Sequence, residues 1–158
     1  MNWFDEQLTT ALSAEINAGL IQILPGGKLV SLFDYFPFST GRLQWSEVPG
    51  HRHEFAGRDA EAATPVIRAF LGMLAEVEKI SSSEWVIYEG DACDCDLRMR
   101  FETFVDCCGV ILSTPQHHYL SSPVSDWCWN YTFEGDIYFG RTSEAIVKKL
   151  IQKRRHKR

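Results

Sequence analysis

The chain has 158 residues, 45% of them hydrophobic and 23% charged, with a formal net charge of −5. That length suits one domain able to bury its core without disulfide or metal support, and the composition is too apolar for a disordered chain. No apolar run approaches the ~20 residues of a membrane span, and the opening Met1-Asn2-Trp3-Phe4-Asp5-Glu6 has neither the basic segment nor the apolar stretch of a secretory signal.

Taken in chain order, the first predicted element is a helix. Phe4, Leu8, Leu12 and Ile16 recur every four residues, Asn2 can cap the start, and Gly19 suits the exit. Leu20–Leu24 and Lys28–Phe33 flank Pro25-Gly26-Gly27 and read as a β-hairpin. An aromatic loop over 34–41 precedes a strand near Arg42–Val48, and His51-Arg52-His53-Glu54 reads as a surface loop after Pro49-Gly50. A second helix is expected from Thr64 at the cap and Pro65 at the first helical position, with Ile67, Phe70, Leu71, Leu74 and Val77 on one face. The period then changes to two. Glu84–Glu89, Leu97–Val105, Val110–Ser113, Asp126–Phe133 and Ile137–Phe139 read as strands, joined in part by the tight turns Glu89-Gly90-Asp91 and Glu134-Gly135-Asp136. A last helix starts at Thr142 or Ser143 and buries Ile146, Val147, Leu150 and Ile151.

The sum is an α+β fold: a largely antiparallel sheet, built from an N-terminal hairpin and a C-terminal meander, with about three helices on one face. Residues 1–152 form one domain and 153–158 a basic tail. Alternation puts Trp127, Trp129, Tyr131 and Phe133 on the helix-packed side, with Asp126, Asn130 and Glu134 facing away.

Charge is unevenly spread. Residues 148–158 hold seven of the sixteen basic side chains and no acidic one, which leaves 9 basic against 21 acidic in the remainder, a net of −12. No Lys or Arg occurs between Arg100 and Arg141, a stretch with nine aromatic residues. Such a surface steers basic partners. The sequence therefore predicts a non-catalytic, cytoplasmic binding module that docks on a basic protein and inhibits it. Immunity proteins that neutralise nuclease-type toxins have this general character. The expected docking face is the outward row Asp96, Glu102, Asp126 and Glu134, widened by Asp94, Asp106 and Asp136, with Tyr119 as aromatic anchor. Direct nucleic-acid binding is expected of nothing but the tail, whose six residues neutralise few phosphates beside an acidic body.

Other chemistry has weaker support. Cys93, Cys95, Cys107, Cys108 and Cys128 are odd in number, and their spacings do not match paired zinc ligands, so neither a disulfide framework nor a metal or other cofactor is expected. Asp91, Asp94 and Asp96 lack the spacing of a calcium loop. The alternative function is a small enzyme using His51 and His53, or His117 and His118, with nearby carboxylates and a metal if one is needed.

Overall fold

A computed structural model describes residues 1–26 and 29–158, with the side chains of 29 and 30 excepted. Helix α1 (Trp3–Ala11) begins where the sequence places it. The Asn2 side chain accepts the Asp5 N–H at 3.0 Å and the Asp5 carboxylate accepts the Asn2 N–H at 2.8 Å, a reciprocal capping box. After a break at Leu12 come a single turn, α2 (Ser13–Asn17), and strand β1 (Ile21–Pro25). The next segment holds α3 (Leu29–Leu32), β2 (Phe38–Ser39), β3 (Arg42–Leu43), a 3-10 turn (Trp45–Glu47) and β4 (Arg52–Phe55). Then follow α4 (Ala60–Val77), β5 (Trp85–Gly90), β6 (Cys95–Arg100), α5 (Phe101–Ile111), β7 (His118–Ser121), β8 (Trp127–Tyr131), β9 (Asp136–Arg141) and α6 (Glu144–His156).

Seven strands form one sheet in the order β1-β6-β5-β7-β8-β9-β4, and every described pairing is antiparallel. The α+β class and the antiparallel sheet are as expected, but more helices form than the three or so predicted, and they do not all pack on one face. One face packs against α1, α4 and α5. There Trp127, Trp129, Tyr131, Tyr88, Leu97 and Met99 meet Leu8, Ile67, Leu71, Leu74, Phe104 and Ile111. Each large apolar side chain buried this way contributes roughly 1.5–3 kcal/mol, so this layer dominates the packing.

The other face is not open. Over β7, β8 and β9 it is covered by Leu32, Phe36, Leu43, Trp45, Val48 and Ile146, which enclose Tyr119 and Cys128. Gly140 makes this possible, because a Cβ there would meet Trp45 and Val48 at 2.7 and 2.8 Å. Helix α6 is capped by Ser143, whose hydroxyl accepts the Ile146 N–H, and it continues through His156. Arg154 reaches Asp34 at 2.6 Å and donates to the Phe33 carbonyl at 2.8 Å, while Lys153 lies 3.5 Å from Glu47. Beyond that cover, on β5 and β6, Trp85 sits between the guanidiniums of Arg98 and Arg100 at 3.9 and 3.7 Å.

Several expectations need correction. The N-terminal hairpin does not form: β1 pairs with β6, Ile21 opposite Met99, and Leu29–Leu32 is helical. Part of its expected turn, Gly27, and Lys28 lie outside the described residues. Strand β6 ends at Arg100, and the segment read as strands over Leu97–Val105 and Val110–Ser113 is mostly α5, since Phe101, Phe104, Cys108 and Ile111 share a helical face. Helix α4 starts at Asp59, which accepts the Glu61 N–H, so Thr64 and Pro65 lie inside it. The strand read over Arg42–Val48 shrinks to β3, and the histidine segment read as a loop is the edge strand β4. Phe133 is half-exposed in a turn, not part of the buried row.

Candidate functional site

The antiparallel register gathers one set of strand ends along a single rim. Gly90 lies opposite His118, His118 opposite Tyr131, Tyr131 opposite Ile137, and Asp136 opposite Phe55, with Cys95 beside Pro25. The turns at these ends hold Asp91, Asp94, Glu134 and Asp136. The start of α4 belongs to the same rim, because Ala56 and Gly57 both donate to the Gly135 carbonyl, and it brings Asp59 and Glu61. The Asn2 side chain donates to the Ala92 carbonyl at 2.8 Å, which brings the start of α1 there as well. Phe55, at the end of β4, and Phe133, in the β8–β9 turn, are 66% and 46% exposed on this rim.

Two clefts flank the β8–β9 turn. The larger, about 940 Å³, opens between α4 and α5 and is lined by Arg58, Asp59, Glu61, Arg68, Asp106 and Phe133, with Gln116, His118 and Tyr131 among its buried lining. The smaller, about 540 Å³, is lined by Arg42, Trp45, His51, His53, His117, Glu134, Asp136 and Tyr138. In it Tyr138 stacks on Trp45 at 5.4 Å and on His53 at 4.6 Å. Trp45 is fixed from below: its indole N–H donates to Asn130 Oδ1 at 3.1 Å, and Asn130 Nδ2 donates to the His118 carbonyl. His53 Nε2 is 2.8 Å from Asp136, and Arg42 is 2.6 Å from Glu134. Burial pushes the Glu134 carboxyl up, but the bond from Arg42 outweighs it and holds the group below its usual range.

The histidine tautomers follow from their partners. His51 Nδ1 faces the Val48 carbonyl at 2.9 Å, so it carries the proton and leaves Nε2 bare. The Phe133 N–H donates to His117 Nδ1, so His117 presents an Nε2–H. His118 is different. It is 1% exposed, its Nε2–H donates to the Thr114 carbonyl at 2.9 Å, and its Nδ1 accepts the Tyr88 hydroxyl at 2.8 Å. Burial, against the pull of the Thr114 carbonyl, drives its pKa down to about 3. Gln116 completes this network, donating to the Tyr88 oxygen and accepting the Ala92 N–H.

The eight residues expected to build the docking surface do not share a face, and the row of four at its centre is split. Asp94, Glu134 and Asp136 lie on the rim, and Asp106 lines its larger cleft. Glu102, in the first turn of α5, and Asp126, just before β8 and 3.8 Å from Arg141, lie at the opposite end of the sheet. Asp96 and Tyr119 are buried, 5% and 1% exposed. Tyr119 packs under Phe38 at 5.7 Å, so it is not the exposed anchor the sequence suggested. Nor do His117 and His118 act as a pair, since His117, just before β7, lines the smaller cleft and His118 the larger.

The cysteines are held as thiols. Cys95 donates to the buried Asp5 carboxylate at 3.2 Å, and burial followed by that contact pushes its pKa up to about 12. Burial likewise raises Cys93, Cys107, Cys108 and Cys128. Among the described residues, no group of three or more His, Cys, Asp or Glu side chains is placed to hold a metal ion.

Sequence reasoning missed Asp59, Glu61, Asp91, Phe55 and Phe133 as members of the rim. A signal was present: both Gly-Asp turns, 89–91 and 134–136, end strands with acidic residues. No helix among the described residues is long and apolar enough to cross a membrane. No protein-family model matches the chain, and no curated protein is significantly similar to it.

Proposed function

We propose that this chain is a non-catalytic binding module of the cytoplasm that docks on a basic protein and blocks it, using the acidic rim as its docking surface. One observation carries the reading. Asp91, Asp94, Glu134 and Asp136 lie along one end of the sheet, and Phe55 and Phe133 are exposed at the β9–β4 side of that same end. Carboxylates arranged in this way accelerate encounter with a basic surface, and aromatic anchors slow dissociation. The role of an immunity protein toward a nuclease-type toxin fits this chemistry, because a protein that grips a polyanion carries a basic face.

The test uses the opposite end of the sheet as its control. With a basic partner captured from the native host and purified, association is followed by stopped-flow at low salt. Glu134→Lys with Asp136→Lys should slow association by at least about tenfold, and Glu102→Lys with Asp126→Lys should leave it unchanged. Equal effects from the two pairs would sink the rim as the docking surface.

A second reading, catalysis in the smaller cleft, draws on the histidine tautomers. A bare His51 Nε2 and a His117 Nε2–H are a base and a hydrogen-bond donor lining one cleft beside Arg42 and the His53–Asp136 pair. Turnover without any protein partner, lost in His51→Ala and in His117→Ala, would replace the binding reading with this one.

A further inference from the structure

The rim has a counterpart on the same chain. Helix α6 carries Glu144 in its first turn and no acidic residue after it. Of its cations, Lys153 and Arg154 have carboxylate partners among the described residues, and none of the others is in an ion pair there. Beside its last turns lies a groove of about 350 Å³ with an apolar floor of Phe33, Phe38 and Leu150, rimmed by Lys153, Arg154 and Lys157. Phe33 is 37% exposed and meets Phe38 edge-on at 4.5 Å.

We infer that this groove receives the β8–β9 turn of a second copy of the chain, so that copies associate acidic rim to basic helix. The fit is chemical on both sides. Phe133 supplies an exposed ring for an aromatic floor, and Glu61 at the start of α4 and Glu134, which also holds Arg42 at 2.6 Å, supply carboxylates on either side of it for a lysine and arginine rim. Arg58 already lies over the Phe133 ring at 5.6 Å, so that ring has a guanidinium against its face within its own chain. A polyanion is a poorer occupant, because residues 1–147 carry a net charge of −12 and would repel it. The inference rests on the rim being a docking surface, and it makes the basic helix of one copy a competitor for any other basic partner. Self-association would then keep the rim covered until a tighter partner displaces it.

Sedimentation velocity of the full chain tests this. At low salt the average mass should rise with concentration, and it should return to monomer at about 1 M salt, where the Debye length is about 3 Å. Lys153→Glu with Lys157→Glu, and separately Glu61→Lys with Glu134→Lys, should each weaken association at least about tenfold. Mixing the two variants should restore it, since each then meets the opposite charge; circular dichroism confirms that both are folded. A wild type that stays monomeric at low salt, variants that still associate, or a mixture without recovery would each overturn the inference. So would a monomeric wild type whose binding to an RNA homopolymer is lost in the lysine variant, which would give the groove to a polyanion. The lysine variant should still bind the basic partner. Loss of self-association in that variant with partner binding kept separates this inference from the proposed function.

Discussion

His118 makes stability depend on pH in a way that can be isolated. The folded chain holds this imidazole neutral, with a pKa of about 3, between the Tyr88 hydroxyl and the Thr114 carbonyl. In the unfolded chain the ring titrates near its ordinary value of about 6.5. Below that value the unfolded state therefore binds more protons than the folded state. The stabilisation is fully present above about pH 6.5 and is lost as the pH falls toward 3, at up to about 1.4 kcal/mol per pH unit. Near pH 5 the loss is about 2 kcal/mol, and below pH 3 it is on the order of 5 kcal/mol. Carboxylates add their own losses at low pH, Asp5 and Glu78 among them, since hydrogen bonds and arginine partners hold both below the usual range despite burial. The variant His118→Gln cancels those terms. Its amide can still donate to Thr114 and accept from Tyr88, but it does not titrate. Urea unfolding of both proteins between pH 7 and 5 should show the wild type losing about 2 kcal/mol more than the variant. Parallel curves would refute the assignment of a neutral, locked imidazole.

Two further predictions concern the second face of the sheet. Gly140→Ala should cost about 1–3 kcal/mol in chemical denaturation, because the new methyl group collides with Trp45 and Val48, and tryptophan fluorescence should shift as Trp45 moves. Deleting Lys153–Arg158 removes six exposed residues, two exposed ion pairs and the Arg154 bond to the Phe33 carbonyl, so thermal melting should register a loss of about 1 kcal/mol or less.

Local signals in the sequence located what local chemistry decides. Asn2 caps the helix it was expected to cap, Ser143 is one of the two starts expected for the last helix, and the alternation of Trp127, Trp129 and Tyr131 gave the helix-packed side of β8, although its other side is buried too. Helix α5 escaped for a physical reason. The strand pattern of Leu97, Met99 and Phe101 runs straight into it, and its cap residue Arg100 makes no side-chain capping bond that would mark the change. Thr64 resembled a cap, but its hydroxyl instead donates to the Ala60 carbonyl inside α4. The rim was harder still. Asp59, Asp91 and Glu134 are far apart in the chain, and what brings them together is strand order and register, which no local period encodes. The buried position of Tyr119 had the same origin, because its cover comes from residues 32–48 and α6, on the far side of the sheet from the main helices.

The pairing of β4 with β9 constrains how the protein can be made. Arg52 and Phe55 leave the ribosome long before their partners Phe139 and Asp136. Strand β1 likewise waits for β6, and the segment that covers the second face waits for β7, β8 and β9 to supply its floor. A nascent chain thus carries Trp45, Phe36 and the edges of two unpaired strands exposed until β6 through β9 have emerged. Pairings this distant place folding toward the slow end for a chain of this size. They also leave a truncated product with open strand edges and bare aromatic rings, the features that chaperones and proteases engage. Quality control in the cell should therefore remove products that terminate before β9.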